Sequence, residues 1–292
     1  MNLLNFVEQY PDESSCKAHW KSIRDKEGVI CLRCDSTSHY WKKDKENYEC
    51  KSCGYRQSLK ANTIMHNSNL PFRYWFIAIH LLTSTKKSFS ALELQRQLGH
   101  KRYEPIWLLL HKLRAIMGKR DTQYFLSGVI ELDDGFFSTP MPSEERANPL
   151  KRGRGSQKKS KVVVMAESTP VEENTKGKNK TRKVGHIKMM VVDDLKSGTI
   201  STLVENNVCD EAIIDSDHST SYVKMKDIVK EHRPEVIPKT KIGEALPWVH
   251  IAISNAKRKL LSIYHQTKPE YLQYYLNEFC YKFISVKNCL TG

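Results

Sequence analysis

Gly128-Val-Ile-Glu-Leu-Asp133 is a short apolar run that closes on an acid. Comparable runs follow at Lys161-Val-Val-Val-Met-Ala166, His186-Ile-Lys-Met-Met-Val-Val192 and Ala212-Ile-Ile-Asp-Ser216. Each has strand length, is rich in apolar and β-branched residues, and is bounded by polar loops, so each predicts a β-strand. Helical texture surrounds the fourth. The order β-β-β-α-β-α predicts the α/β class, a mixed sheet covered by helices, with linkers at 140–160 and 168–184 rich in Pro, Gly, Lys and Arg. Asp133 is expected at the end of the first strand and Asp217 just beyond the fourth. Taken alone, an acid at a strand end is more often a turn or cap residue.

Working back towards the N-terminus, the period changes. Phe72, Trp75, Phe76 and Ile79 recur at helical spacing, with Leu82 on the same face, which predicts a helix opening after Pro71. Two further helices are expected at Ser90–Leu98 and Tyr103–Met117. Ser90 with Glu93 has the form of a capping box, and Gly99 is a helix stop. Such a pair suits a helix-turn-helix with a core of Leu92, Leu94, Leu98, Ile106, Leu109, Leu110, Leu113 and Ile116. His100, Lys101, Arg102, Tyr103, Lys112 and Arg114 are then available to DNA, with the basic residues at the start of the recognition helix. A plain helical hairpin with solvated charges fits the same pattern.

Further back, Cys31-Leu-Arg-Cys34 and Cys50-Lys-Ser-Cys53 are CxxC pairs separated by fifteen residues. That is the spacing of a closed tetrahedral site in which Cys31, Cys34, Cys50 and Cys53 bind structural zinc. Gly54 suits a left-handed turn, strand pieces are expected at His39–Trp41 and Asn47–Glu49, and a lead-in helix at Glu13–Arg24. His39 is an alternative ligand, read more readily as an exposed strand residue. The other cysteines (Cys16, Cys209, Cys280, Cys289) are scattered, which disfavours a disulfide scaffold.

The chain has 292 residues, with 47 Lys+Arg against 33 Asp+Glu, a net charge of +14. An excess of that size points to a polyanionic partner, nucleic acid before membrane, because no apolar run is long enough to span a bilayer and the N-terminus lacks a signal pattern. A cytosolic location is expected. Lys151-Arg-Gly-Arg-Gly-Ser-Gln-Lys-Lys159 supplies Lys151, Arg152, Arg154, Lys158 and Lys159 as candidate contacts to DNA phosphates, and the run at 176–183 adds more. Both also read as solvated loops.

Taken in order, these features resemble the insertion-sequence transposases of the fifteen-ninety-five family, with an ISXO-two-like DDE-type domain behind a zinc ribbon. The resemblance is carried by the ribbon at 31–53, by Ser90-Ala-Leu-Glu-Leu-Gln-Arg-Gln-Leu-Gly99, by Ile130-Glu-Leu-Asp133 and by Lys151-Arg-Gly-Arg-Gly155. It continues through Asp217 with Tyr222, Pro247-Trp-Val-His250, Ser254-Asn-Ala-Lys257 and Tyr271-Leu-Gln-Tyr-Tyr-Leu-Asn-Glu-Phe279. It implies a ribonuclease-H-like catalytic domain that binds transposon ends, cuts DNA and joins it to a target. Asp133 and Asp217 would hold Mg²⁺ or Mn²⁺, His250 would complete the site, and Lys257 would meet a phosphate. Asn255 is the rival for the third position. Two places depart from the family pattern: Asp134 stands where Glu is common, and Phe283-Ile-Ser-Val-Lys287 stands where relatives carry an Asn-Arg-Arg run and a further helix.

The expected organisation is a lead-in helix and ribbon at 1–60, a helix-turn-helix at 61–120 and a catalytic domain at 121–292, acting on inverted repeats and target DNA as a homodimer or larger assembly. A zinc-ribbon transcription regulator explains residues 31–117 and leaves the acids unused. A decayed transposase would bind ends without cutting.

Overall fold

A computed structural model describes residues 1–141, 149–151, 153, 156–170, 182–236 and 245–288, with side chains described as far as Phe283. The chain divides into two compact units, Met1–Leu113 and Arg114–Gly292.

The first unit opens with α1 (Leu3–Gln9) and α2 (Glu13–Glu27), the latter started by a capping box between Asp12 and Ser15. A three-stranded antiparallel sheet follows, β1 (His39–Lys42), β2 (Asn47–Cys50) and β3 (Arg56–Ser58). The sheet docks on α2 through polar contacts. Tyr48 donates its hydroxyl to Asp25 at 2.6 Å, Trp20 Nε1 donates to the Leu59 carbonyl at 3.1 Å, and buried Arg24 donates to the Ala61 carbonyl at 3.2 Å. Next comes α3 (Phe72–Ser84), whose buried face is Phe72, Trp75, Phe76, Ala78, His80 and Leu82. Pro71 at its N-cap has no side chain able to accept, so the Phe72 and Arg73 N–H groups donate instead to Glu13 on α2, at 2.9 and 2.8 Å.

Helix α4 (Ala91–Leu98) is capped by Ser90, whose hydroxyl accepts the Glu93 N–H at 3.0 Å. It stops at Gly99, whose φ of +61° is left-handed and suits a residue without Cβ. After a turn, α5 runs Glu104–Asp121, and the division between the units falls within it.

Three readings of this region need correction. Leu92 and Ile116, expected in the core, are each 47% exposed. On α4 the inward line is Ala91 and Leu94, and Leu92 lies about 100° round from Ala91. On α5 the residues buried after Leu113 are Arg114 and Met117, which leaves Ile116 outside. Arg114, expected to be available to DNA, is buried: Nε donates to Glu278 at 2.8 Å and a terminal nitrogen to the Tyr264 hydroxyl at 3.0 Å. Its carboxylate partner lies 164 residues away and is also bridged by buried Lys282 at 3.3 Å.

The second unit is built on β4 (Val129–Ser138), β5 (Lys159–Pro170), β6 (Arg182–Val192), β7 (Ile213–Asp217) and β8 (Glu231–Glu235), in the order β6-β5-β4-β7-β8. β4, β5 and β6 are antiparallel neighbours, whereas β7 and β8 run parallel to β4. The first three strands are longer than their apolar runs predict, so the linkers are shorter, and β8 was not expected. Helix α6 (Ser197–Glu205) packs Ile200 and Val204 on one face of the sheet with Ile130, Leu132 and Ile214. The opposite face, with Val162, Val164 and Ala166, is covered by α7 (Pro247–Tyr264) and α8 (Pro269–Asn288). A mixed five-stranded sheet with helices on both faces is compatible with the ribonuclease-H-like expectation.

Candidate active site and metal centre

Side chains alternate along a strand. On β4, Ile130 and Leu132 enter the core on the α6 side, which turns Glu131 and Asp133 towards α7. Asp133 is therefore a mid-strand residue, opposite Val164 of β5, rather than a strand terminus. The parallel register pairs Glu131 with Asp215 and Leu132 with Ser216, so Asp133 and Asp217 each come one residue later on adjacent strands. Strands that pair so lie about 4.8 Å apart. Residues 84 positions apart in the sequence thus come together on one face.

Four acids share that face. Asp215 is paired with Arg182 at 3.3 Å, and Glu131 accepts backbone N–H groups of α7. Asp133 Oδ1 accepts the Asp134 N–H at 2.8 Å, and Asp217 Oδ1 accepts the Ser219 N–H at 3.3 Å. On the α6 side, buried Tyr222 directs its hydroxyl at Asp134 Oδ1, 3.5 Å away. Burial, and after it the negative charges of Asp134, Asp133 and Asp217, push the Tyr222 phenol well above its ordinary range, so it stays protonated.

Helix α7 brings His250 to this place. Its Nδ1 lies 3.6 Å from Asp133 Oδ2. Burial lowers the His250 pKa, against the opposing pull of Glu131 and Asp217, and so favours the neutral ring that can offer a lone pair. Lys257, seven residues on, returns to nearly the same helix face. Its ammonium stands 5.5 Å from the Phe137 ring centroid, and burial, then the charge of Lys159, lower its pKa while Asp133 opposes them. Asn255 lies about 140° round the helix from His250. Its Oδ1 accepts from Arg258 at 2.5 Å.

Asp133, Asp217 and His250 do not make a closed cage: among the described residues, only Cys31, Cys34, Cys50 and Cys53 gather their ligand atoms within 4.8 Å of one another. A more open group of carboxylates with one imidazole suits oxygen-preferring cations that retain water ligands.

The four cysteines are presented by two matching turns. In each, the N–H four residues after the first cysteine donates to that cysteine's carbonyl at 3.0 Å (Asp35 to Cys31, Gly54 to Cys50). Each of those donors has positive φ, +55° at Asp35 and +69° at Gly54. The Cys31–Cys53 and Cys34–Cys50 sulfur separations are both 3.6 Å. Tetrahedral zinc with sulfur ligands at about 2.3 Å requires separations of about 3.8 Å, so the thiols fit zinc. His39 is outside this group, in β1, with both ring nitrogens buried and without hydrogen-bond partners among the described residues.

The expected DNA contacts fall in both units. Lys101 and Arg102 are exposed in the turn before α5, and Lys112 donates to the His66 carbonyl at 2.5 Å. His100, Arg102 and Lys112 line one cleft of about 450 Å³ together with Pro71, Trp75 and Leu108. Lys151, Lys158 and Lys159 are exposed. Arg152, Arg154 and most of the run at 176–183 lie outside the described residues.

Sequence reasoning missed Glu131. It is fully buried, two residues before Asp133, and bonded to the helix that carries His250. A charged residue inside an apolar strand was the available signal.

Comparison with known proteins gives one family: the model described as the ISXO2-like transposase domain matches residues 125–283. No curated protein matches the chain.

Proposed function

Because the chain belongs to the family of ISXO2-like transposases, matched over more than half its length, we propose that it binds transposon ends and catalyses metal-dependent DNA cleavage and strand transfer on a ribonuclease-H-like domain. The observation that carries this reading is the placement of Asp133 and Asp217 on adjacent parallel strands, with His250 at 3.6 Å from Asp133. Asp133 and Asp217 hold Mg²⁺ or Mn²⁺, and neutral His250 takes the third position. Ions held by these residues would supply Lewis-acid polarisation of the phosphodiester and a more acidic attacking hydroxyl. Lys257 meets a phosphate oxygen beside the acids. Protonated Tyr222 fixes the strand that carries Asp134.

Zinc at Cys31, Cys34, Cys50 and Cys53 supplies folding free energy to a segment too small to form its own core. The turn with Lys101 and Arg102 is the end-sequence reader of a helix-turn-helix, assisted by Lys112. Lys151, Arg152, Arg154, Lys158 and Lys159 contact backbone phosphates. The working form is a homodimer or larger assembly on double-stranded DNA in the cytosol, engaging inverted repeats and target. The regulator reading loses ground because the family match covers the half of the chain that a regulator would leave idle.

The test is a plasmid assay with the element's ends and Mg²⁺ or Mn²⁺. Asp133→Asn or Asp217→Asn should lower cleavage by on the order of a thousandfold, equivalent to the several kcal/mol of charge stabilisation that bound ions supply. End binding should persist, because the amide preserves shape. Cleavage by either variant at the wild-type rate would refute the assignment, and end binding without cleavage by the wild type would identify a decayed enzyme.

A further inference from the structure

Helix α7 begins without a cap of its own. Leu246 occupies the N-cap and offers no hydrogen-bonding side chain, and Pro247 at the first helical position has no N–H. The next two donors, Trp248 N–H and Val249 N–H, are the ones a capping side chain ordinarily satisfies. Both donate instead to one oxygen of Glu131, Oε2, at 2.7 and 3.1 Å. The next residue is His250, whose N–H makes a helical bond back to the Leu246 carbonyl at 3.2 Å. Glu131 thus fixes the two peptide groups immediately before His250, from a strand position two residues before Asp133.

We infer that Glu131 is the positioning residue for His250: its carboxylate caps α7 across the sheet and sets the approach of the imidazole to Asp133. The inference rests on the reading of Asp133, Asp217 and His250 as a divalent-metal site. A carboxylate at a helix N-terminus interacts favourably with the helix dipole and makes short charge-assisted bonds. The bonds reach from β4 to α7, so a single side chain ties the strand of one expected ligand to the helix of another. Glu131 is 0% exposed and its other oxygen, Oε1, is buried with no hydrogen-bond partner among the described residues, so the bonds it accepts there are those that hold the start of α7. Outer residues that orient a metal ligand commonly alter affinity by about 10- to 100-fold.

The experiment measures Mn²⁺ binding to the zinc-loaded full chain, through the free-ion magnetic-resonance signal, alongside thermal unfolding. Two conservative variants separate geometry from charge. Glu131→Gln keeps an accepting oxygen at the same reach, whereas Glu131→Asp keeps the charge but withdraws it by one methylene. Positioning predicts rescue by Gln, within about threefold of wild type, and a loss of about tenfold for Asp, in the range for outer-sphere residues. A double-mutant cycle should show that Glu131→Asp adds little once His250→Ala is present. Normal binding by Glu131→Asp with loss in Glu131→Gln would overturn the inference in favour of a charge effect. Additive losses in the cycle would overturn it as well, because the two residues would then act independently. Wild type that binds no Mn²⁺ at this site, behaving as Asp133→Asn does, would defeat the metal-site reading and this inference with it. Tight wild-type binding that is unchanged by Glu131→Asp would remove the inference alone.

Discussion

Helices α3 and α7 share a defect and a remedy, and the remedy is applied differently. Each starts at a residue that cannot cap it, Pro71 or Leu246, and each receives a glutamate from an earlier element. Glu13 gives one oxygen to each donor, Oε1 to Phe72 and Oε2 to Arg73, from a partly exposed site. Glu131 gives a single oxygen to both donors and is wholly buried. At α3 the carboxylate is fully used, and helix stability accounts for it. At α7 both bonds fall on one oxygen, and the helix they start carries His250 to Asp133.

The largest test of this contrast acts on α2, which carries Glu13 and on which the cysteine-rich sheet docks through Tyr48 and Asp25. Removing zinc with a chelator withdraws an apparent binding free energy of about 10–16 kcal/mol. It should unfold the two cysteine turns, loosen α2 and speed hydrogen exchange at the Phe72 and Arg73 amides, while Trp248 and Val249 keep their protection. Equal loss at both places would break the comparison. A smaller effect is expected from Glu13→Ala, about 1 kcal/mol of stability from the lost cap, with Mn²⁺ binding unchanged. Weakened Mn²⁺ binding in that variant would show that the two glutamates are not doing different work.

The smallest effect sharpens the α7 side. That helix also carries Lys259, pushed down to about 8 chiefly by burial, with Glu278 pulling the other way. The unfolded chain therefore binds more protons than the folded chain between about pH 8 and the ordinary lysine pKa of 10.5. The penalty is complete below pH 8 and fades as pH rises through that window. Lys259→Met should raise stability at pH 7 by about 1–2 kcal/mol, a figure discounted for partial exposure. Its advantage should shrink by pH 10 in denaturant titrations, and an advantage that grows with pH would contradict the assignment.

What could be seen in the sequence was local. The CxxC spacing, the Ser90 cap, the Gly99 stop and the apolar runs of four strands each announce themselves within a few residues. What escaped depends on partners far along the chain. Arg114 looks like a solvent-facing cation until Glu278 is placed beside it, and Glu131 looks like an interruption of a strand until α7 arrives 117 positions later. Strand β8 escaped for another reason: Glu-His-Arg-Pro-Glu has no apolar alternation, because its residues are mostly exposed.

That strand also limits how copies of the chain can join. Among the described residues β8 is the last strand on its side of the sheet, and an unprotected outer strand is a template for pairing with another molecule. Pro234 has no N–H to offer a newcomer, and Glu231, Arg233 and Glu235 surround it with charge. A proline and three charged residues make β8 a poor template for continuing the sheet from one molecule into the next, which disfavours edge-to-edge association of this basic chain.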